Sequence, residues 1–568
     1  MRSKTAKSPE EVASRHSAVS RHSPAAVSGF LERHALAGAI LLTMLASARI
    51  IATYSVFNHT FDEPFHVACG MEWLDKGTYT CEPQHPPLAR VAAALGPYLS
   101  GIRSQGVATP SDPLSQPREG AAILYSGHHY ERTLALARLG ILPFFWIACA
   151  VVYVWGARYF SRRLAVVAVF VFSFTPTVLA HAGLATTDMA LTACLSAAFL
   201  TGLIWVERPT PALGALFGLC TGLAVISKFT TLLFLPSAAV VVLVWYWATG
   251  HSIPGKAIVL RLPTLALAVG VGALVIWAGY RFSFGPVDFA AIRLPAPELY
   301  AGIETVLKHN ELGHWSYVLG ERSPLGFWYF YPVALAVKTP LALLVLAGFG
   351  VVLVFRKDSG FPLLWVPLAF AAAVLQAGML GHINIGIRHV LPVYTGIAIL
   401  AAAALLELLR MAERGGGAGI LLVLLAGWFA GSSLLSHPDY LAYFNALAGS
   451  HPENILVDSD LDWGQDIKRA AVRLHQLGVK QVVFPQFIIA DLEKQHGFPH
   501  LESNIDLVHQ PSGYFLAGAT FWKAYHFALP PDQAIWPDEV APIERIGKGM
   551  FLWYRGSSAP NTPAGPPQ

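Results

Sequence analysis

The sequence predicts a mainly α, polytopic membrane protein: about eleven transmembrane helices followed by a small extracytoplasmic α/β domain at the C-terminal end. Three observations carry this. Of 568 residues, 54% are hydrophobic and 13% charged, and the mean hydropathy is +0.49, which soluble domains do not show. Apolar blocks approaching the ~20 residues needed to cross a hydrocarbon core of roughly 30 Å recur along the chain. Lys and Arg collect in alternate connections, as the positive-inside bias requires.

The apolar blocks fall at 35–57, 134–155, 164–180, 189–206, 212–226, 229–247, 262–277, 333–355, 361–380, 390–409 and 420–435. The leader carries Arg2, Lys4, Lys7, Arg15, Arg21 and Arg33. The other cytoplasmic connections carry Arg158, Arg162 and Arg163, then Arg208, Lys256 and Arg261, then Arg356 and Lys357, then Arg410 and Arg414. With the leader inside and an odd number of spans, loops 58–133 and 278–332 and the tail lie outside. The expected organisation is a disordered cytoplasmic tail over 1–30, a transmembrane domain over 31–436, an extracytoplasmic α/β domain over 437–556 and a disordered tail over 557–568. The net charge of +4 belongs to orientation and gives no ground for nucleic-acid binding.

Cys149, Cys194 and Cys220 fall inside spans as small apolar residues. Cys69 and Cys81 share the first outer loop, where a disulfide and two free thiols are both open. In the tail, 454–463 reads as a strand, 465–477 as an amphipathic helix, and 481–484, 513–521 and 546–555 as further strands.

Charges inside spans are costly, about 2.5–3.5 kcal/mol for a Lys or Arg at a helix centre, so each needs a partner, an escape route or a job. Arg138, Lys228, Lys338 and Arg388 all fall toward the outer ends of their spans, together with His181, Asp188, His382 and His389. Any one of them could be snorkelling to the interface. Four cations gathered on one side suit an outward crevice that holds an anion better than a transporter's midplane site.

The first outer loop carries the most specific signals: His59-Thr60-Phe61-Asp62-Glu63-Pro64-Phe65-His66, then Gly77-Thr78-Tyr79, then Gln84-His85-Pro86-Pro87-Leu88. Asp62 before Glu-Pro also suits the N-cap of a short interfacial helix, and His85 before Pro-Pro suits a turn. A divalent metal near Asp62, His66 or His85 is open, although no pair has persuasive ligand spacing. Asp458, Asp460 and Asp462 copy the first positions of a calcium loop, but Gly464 is one place late and Arg469 stands where a bidentate Glu belongs. Those carboxylates are expected instead to cap the helix near Gln465 and to shape a loop facing the site.

The acidic pair after the first span, the Gly-x-Tyr and the His-Pro-Pro-Leu resemble the C-type (GT-C) glycosyltransferases that use polyprenyl-phosphate sugars, notably protein O-mannosyltransferases and aminoarabinose transferases. Thr186-Thr187-Asp188, Ser227-Lys228-Phe229-Thr230, Tyr329-Phe330-Tyr331-Pro332 with Lys338-Thr339-Pro340, and Asn384-Ile385-Gly386-Ile387-Arg388-His389 are similar to that family as well. The segment 437–445 and the run Asp458 to Asp466 resemble bacterial members.

The resemblance implies inverting transfer of a sugar from a polyprenyl-phosphate carrier to an envelope lipid, glycan or protein, on the outer side of a bacterial inner membrane. By position, Asp62 is the expected general base, Glu63 its substitute, and Asp188 is expected to orient the acceptor or support the base. His85, Arg138, Lys228, Lys338, Arg388 and His389 are expected around the carrier phosphate. Two departures stand out: His85 replaces the lysine usual in aminoarabinose transferases, and the large lumenal domains of eukaryotic mannosyltransferases are missing. The competing readings are a multispan transporter or lipid-linked-sugar flippase, and a membrane scaffold whose outer domain binds a partner.

Overall fold

The computed structural model describes residues 24–109, 112, 115–250, 258–287, 290–356, 358, 360–485, 488–502, 505–506, 508–524 and 535–556. The tail expected over 557–568, most of the leader, and Lys256 and Lys357 lie outside them. The first helix, Pro24–Ile51, begins inside the stretch expected to be disordered.

Each of the eleven apolar blocks coincides with a helix or a bent helix pair. Among the described residues, seven helices are long and apolar enough to cross a membrane, or nine if each bent pair is one span. The other two blocks, Pro211–Val225 and Trp365–Met379, are apolar helices of 15 residues. By length and composition, seven to nine of the eleven expected spans are met among the described residues. The block expected over 333–355 is not one rod. Phe330–Lys338 and Leu341–Phe355 meet at 115°, because Pro340 cannot donate to the preceding turn, and Lys338 thus ends a short helix at the break.

Small residues set the closest helix contacts, as expected where lipid supplies no hydrophobic drive between helices. Gly214, Gly218 and Gly222 recur every fourth residue along Pro211–Val225, facing Thr264, Ala268 and Gly272 of Leu262–Gly279; a Cβ at Gly218 would collide with the Ala268 carbonyl oxygen.

The segment expected as the first outer loop folds into helices Glu63–Met71, Pro87–Leu99 and Ser115–Tyr125. Gly70 and Gly120 let their backbones approach Arg90 and Pro64 closely. Cys69 and Cys81 form a disulfide, which resolves the two readings left open by the sequence. The segment expected as the second outer loop holds two hairpins, β1 (Phe284–Val287) with β2 (Ala290–Pro295) and β3 (Ser316–Val318) with β4 (Glu321–Ser323), around helix Pro297–Leu312.

The tail domain is a five-stranded mixed sheet of β5 (Gln481–Val483), β6 (His500–Glu502), β7 (Gly513–Gly518), β8 (Glu544–Ile546) and β9 (Met550–Arg555), in the order β6-β5-β7-β9-β8. Side chains alternate between its faces, as the pleat requires. Leu516 and Leu552 pack on Ala470 and Leu474 of helix Ile467–Gln476, whereas Phe515 and Trp553 join Trp522 and Trp536 on the other face. The strand expected over 454–463 is not there. Two 3-10 turns, Pro452–Asn454 and Asp458–Asp460, occupy that stretch, because its polar groups bond to the membrane domain instead of to a ladder.

Candidate functional site

Asp62 stands at the N-cap position of Glu63–Met71, yet its side chain makes no cap bond. Its Oδ2 lies 3.0 Å from Arg388 Nη1. The same Nη1 is 3.5 Å from Asp188 Oδ2, and Asp188 Oδ1 accepts from Lys228 Nζ at 2.6 Å. Two carboxylates and two cations thus form one chain, Asp62, Arg388, Asp188, Lys228. Asp62 is its exposed end, at 23%, while the Asp188 side chain is fully buried.

Local structure explains each placement. Asp188 is the first residue of helix Asp188–Glu207, where the unpaired N–H groups favour a carboxylate. Lys228 occupies the turn between Pro211–Val225 and Thr231–Ala248. Arg388 lies on the 3-10 turn Ile387–Val390, which follows Gly386 at φ +153°; a Cβ on Gly386 would strike the Ser459 hydroxyl.

The tail reaches into this cluster. The Arg388 guanidinium carbon sits 4.1 Å from the centroid of the Trp463 ring, and Arg388 Nε donates to Ser459 Oγ at 3.1 Å. Asp62 and Asp188 raise the Arg388 pKa against the effect of burial, so the cation is permanent.

His85 and His389 lie within the electrostatic reach of Lys228, Arg388 and Asp188. Burial, aided by those cations, pushes His85 down to about 3 and His389 well below its ordinary value. Both are neutral imidazoles at physiological pH, able to hydrogen-bond an anion but not to pair with it as cations.

Two expected phosphate ligands point elsewhere. Arg138 holds Glu63 in a fork, Nε to Oε1 and Nη2 to Oε2 at 2.8 Å each, and Nη2 also donates to the Asn58 carbonyl. Glu63 further accepts from the backbone N–H of Thr60 and Ala185. Burial alone would raise this carboxyl, but Arg138 and those N–H groups outweigh it and hold it below its ordinary value. Glu63 thus takes the Nε and Nη2 edge of Arg138. Lys338 Nζ is likewise taken, by the backbone carbonyls of Leu441 at 2.7 Å and Asp460 at 2.5 Å.

The acidic run of the tail does not cap the following helix. Asp460 Oδ1 accepts from the Ile387 N–H, and Asp462 accepts from Gly464 and Thr520. Asp466 holds the N-cap position of Ile467–Gln476 with no side-chain cap bond. The expected loop against the site is present, but Trp463 and Ser459 carry it, and neither was assigned a role from sequence. The one signal for them was a polar, aromatic-centred run, out of place in a tail of short strands.

Among the described residues, no group of three His, Cys, Asp or Glu is placed to hold a metal. His66 Nδ1 is engaged by Arg90 Nε at 3.2 Å, away from Asp62. A cavity of about 540 Å³ opens elsewhere, between Trp428 and Leu435 of helix Ala418–Leu435 and Arg545 and Lys548 of the tail domain.

The family model described as dolichyl-phosphate-mannose-protein mannosyltransferase matches residues 136–277, a quarter of the chain. That stretch contains Arg138, Asp188 and Lys228, and it meets the resemblance drawn from the motifs. Among solved structures, ArnT from Cupriavidus metallidurans bound to undecaprenyl phosphate aligns at 13% identity and a TM-score of 0.49, covering 90% of this chain and 97% of that one. The archaeal oligosaccharyltransferase AglB from Archaeoglobus fulgidus, in complex with an inhibitory peptide and a dolichol-phosphate, aligns at 14% and 0.48, covering 73% of this chain and 56% of that one. No curated protein matches the sequence.

Proposed function

We propose that this chain is an integral membrane glycosyltransferase that moves a sugar, with inversion, from a polyprenyl-phosphate carrier to an extracytoplasmic lipid, glycan or protein, with Asp62 as the general base. The observation that carries this reading is the Asp62 to Arg388 contact: a carboxylate unused by its own helix, 3.0 Å from a buried cation. The family match over 136–277 supports the same chemistry.

The acceptor hydroxyl attacks the anomeric carbon from the face opposite the carrier. Its proton passes to an Asp62 carboxylate oxygen as the new C–O bond forms. The bond between the anomeric carbon and the phosphate oxygen breaks, and its electron pair leaves on the phosphate. The charge developing there is met by Arg388 and by Lys228, with His85 and His389 as neutral hydrogen-bonding neighbours. Asp188 keeps both cations in place. In this reading Glu63, Arg138 and Lys338 hold the framework rather than the phosphate.

The Cys69 to Cys81 disulfide, in the loop that begins with Asp62, suits an oxidising compartment outside the cytosol. We assign the site to the periplasmic face of a bacterial inner membrane on that ground and on the alternation of Lys and Arg. Mass spectrometry of envelope lipids, glycans and proteins from cells with and without the gene tests the reading. A product lighter by one hexose or pentose in its absence supports it, whereas unchanged glycans with altered distribution of a lipid across the bilayer favour a flippase.

A further inference from the structure

Trp463 is 1% exposed, among the largest buried side chains, yet it belongs to none of the hydrophobic clusters of the described residues. A buried indole outside every apolar core has another occupant on its face, and here that is the Arg388 guanidinium at 4.1 Å. The backbone of Trp463 is tied to the other half of the site: the Phe61 N–H donates to its carbonyl at 3.1 Å, one residue before Asp62. Next to it, the Asn58 side-chain amide donates to the Gly464 carbonyl, and the Ile467 N–H donates back to Asn58 Oδ1.

Ser459 completes the grip. Its hydroxyl accepts from Arg388 Nε and donates to the Ile385 carbonyl at 2.5 Å, so one oxygen fixes both the guanidinium edge and the turn that carries it. With its Cζ over the Trp463 ring, Nε on Ser459 and Nη1 on Asp62 and Asp188, the guanidinium is held from three directions.

We propose that Trp463 and Ser459, carried by the tail domain, are positioning residues of the transfer site: they fix the Arg388 guanidinium so that Nη1 stays on Asp62 while the cation faces the donor phosphate. The tail domain is then a wall of the active crevice rather than an appendage. The inference rests on Arg388 being the phosphate ligand, as proposed above.

The test uses the full chain in nanodiscs and undecaprenyl phosphate as the probe, with thermal unfolding as a control for folding. Arg388→Met should abolish binding. Trp463→Ala should weaken it about tenfold, Ser459→Ala by roughly threefold, and Trp463→Phe should recover most of the loss. Replacing Trp463 site-specifically with mono-, di- and trifluorotryptophan keeps the shape of the ring while draining its face of negative potential. Binding should fall stepwise with each fluorine, which a merely space-filling role would not produce. Binding that is flat across the fluorinated series while Arg388→Met is dead overturns the positioning role alone. Binding that is unaffected by Arg388→Met removes Arg388 as the phosphate ligand, and this inference with it.

Discussion

Asp62 and Arg388 are joined at 3.0 Å across more than three hundred residues of sequence, at the point where the helix Glu63–Met71 gives up its own N-cap bond. Forgoing a cap costs about 1 kcal/mol, so the orientation of this carboxylate reflects the contact it makes rather than the helix it precedes. Asp62→Asn keeps an oxygen for Arg388 and an equally good N-cap residue but cannot accept the proton. Transfer in reconstituted membranes should fall about 10²- to 10⁴-fold, with unfolding temperature and carrier binding nearly unchanged. Undiminished transfer would remove Asp62 as the base.

Glu63, the immediate neighbour, should behave in the opposite way. It is fully buried and answered on both oxygens by Arg138, Thr60 and Ala185. Glu63→Gln leaves an uncompensated buried guanidinium, a loss of about 3–5 kcal/mol, visible as a lowered unfolding temperature in detergent. Pairing it with Arg138→Met should restore much of the stability. If Glu63→Gln were as stable as the natural chain and only transfer were lost, Glu63 would belong to the chemistry after all.

The contrast between these adjacent acids shows what sequence could and could not tell. Hydropathy located all eleven apolar blocks, because the period and length of a span are local properties. Their division into full spans, bent pairs and short helices was less legible: Pro340 marks the break beside Lys338, but a proline does not announce a bend as large as 115°. The charged residues of the Asp62, Arg388, Asp188, Lys228 chain were all singled out from sequence. Which cation meets which acid depends on contacts between segments hundreds of residues apart, so Arg138 and Lys338 counted equally with Arg388 until the fold separated them. Trp463 was invisible as a site residue because an aromatic side chain declares burial, not what it is buried against.

The disulfide offers a test that leaves the chemistry untouched. Cys69 is fully buried on the helix that Asp62 precedes, and Cys81 closes a loop of 12 residues onto it, beside Tyr79 and Tyr280. A closed loop of that length constrains the unfolded chain by roughly 3 kcal/mol. Cys81→Ser, or a reductant on the natural chain, should lower the unfolding temperature by a matching amount. It should also make 58–133 more sensitive to protease. Equal protease resistance with and without reductant would mean that the packing of Glu63–Met71 on Pro87–Leu99 suffices without the bond.

Asp462 should give the tail an unusual dependence on pH. Burial pushes its carboxyl up to about 7, against the N–H groups of Gly464 and Thr520 that favour the charged form, with Asp466 and Asp458 adding to the rise. In the unfolded chain the same group titrates near 4. Below about pH 4 it is protonated in both states and costs nothing. Between about pH 4 and 7 the unfolded chain ionises while the folded one does not, so folding stability declines across that window, by up to roughly 4 kcal/mol, and levels off above it. Glu63, held below its ordinary value, acts with the opposite sign, but only at the acid end of the range. Comparing the natural chain with Asp462→Asn cancels that contribution. The difference in unfolding free energy between the two should shift in favour of the variant as pH rises from 4 to 7. A difference that is constant over this range would show that Asp462 is ionised at both ends, solvated by groups that its buried surroundings do not reveal.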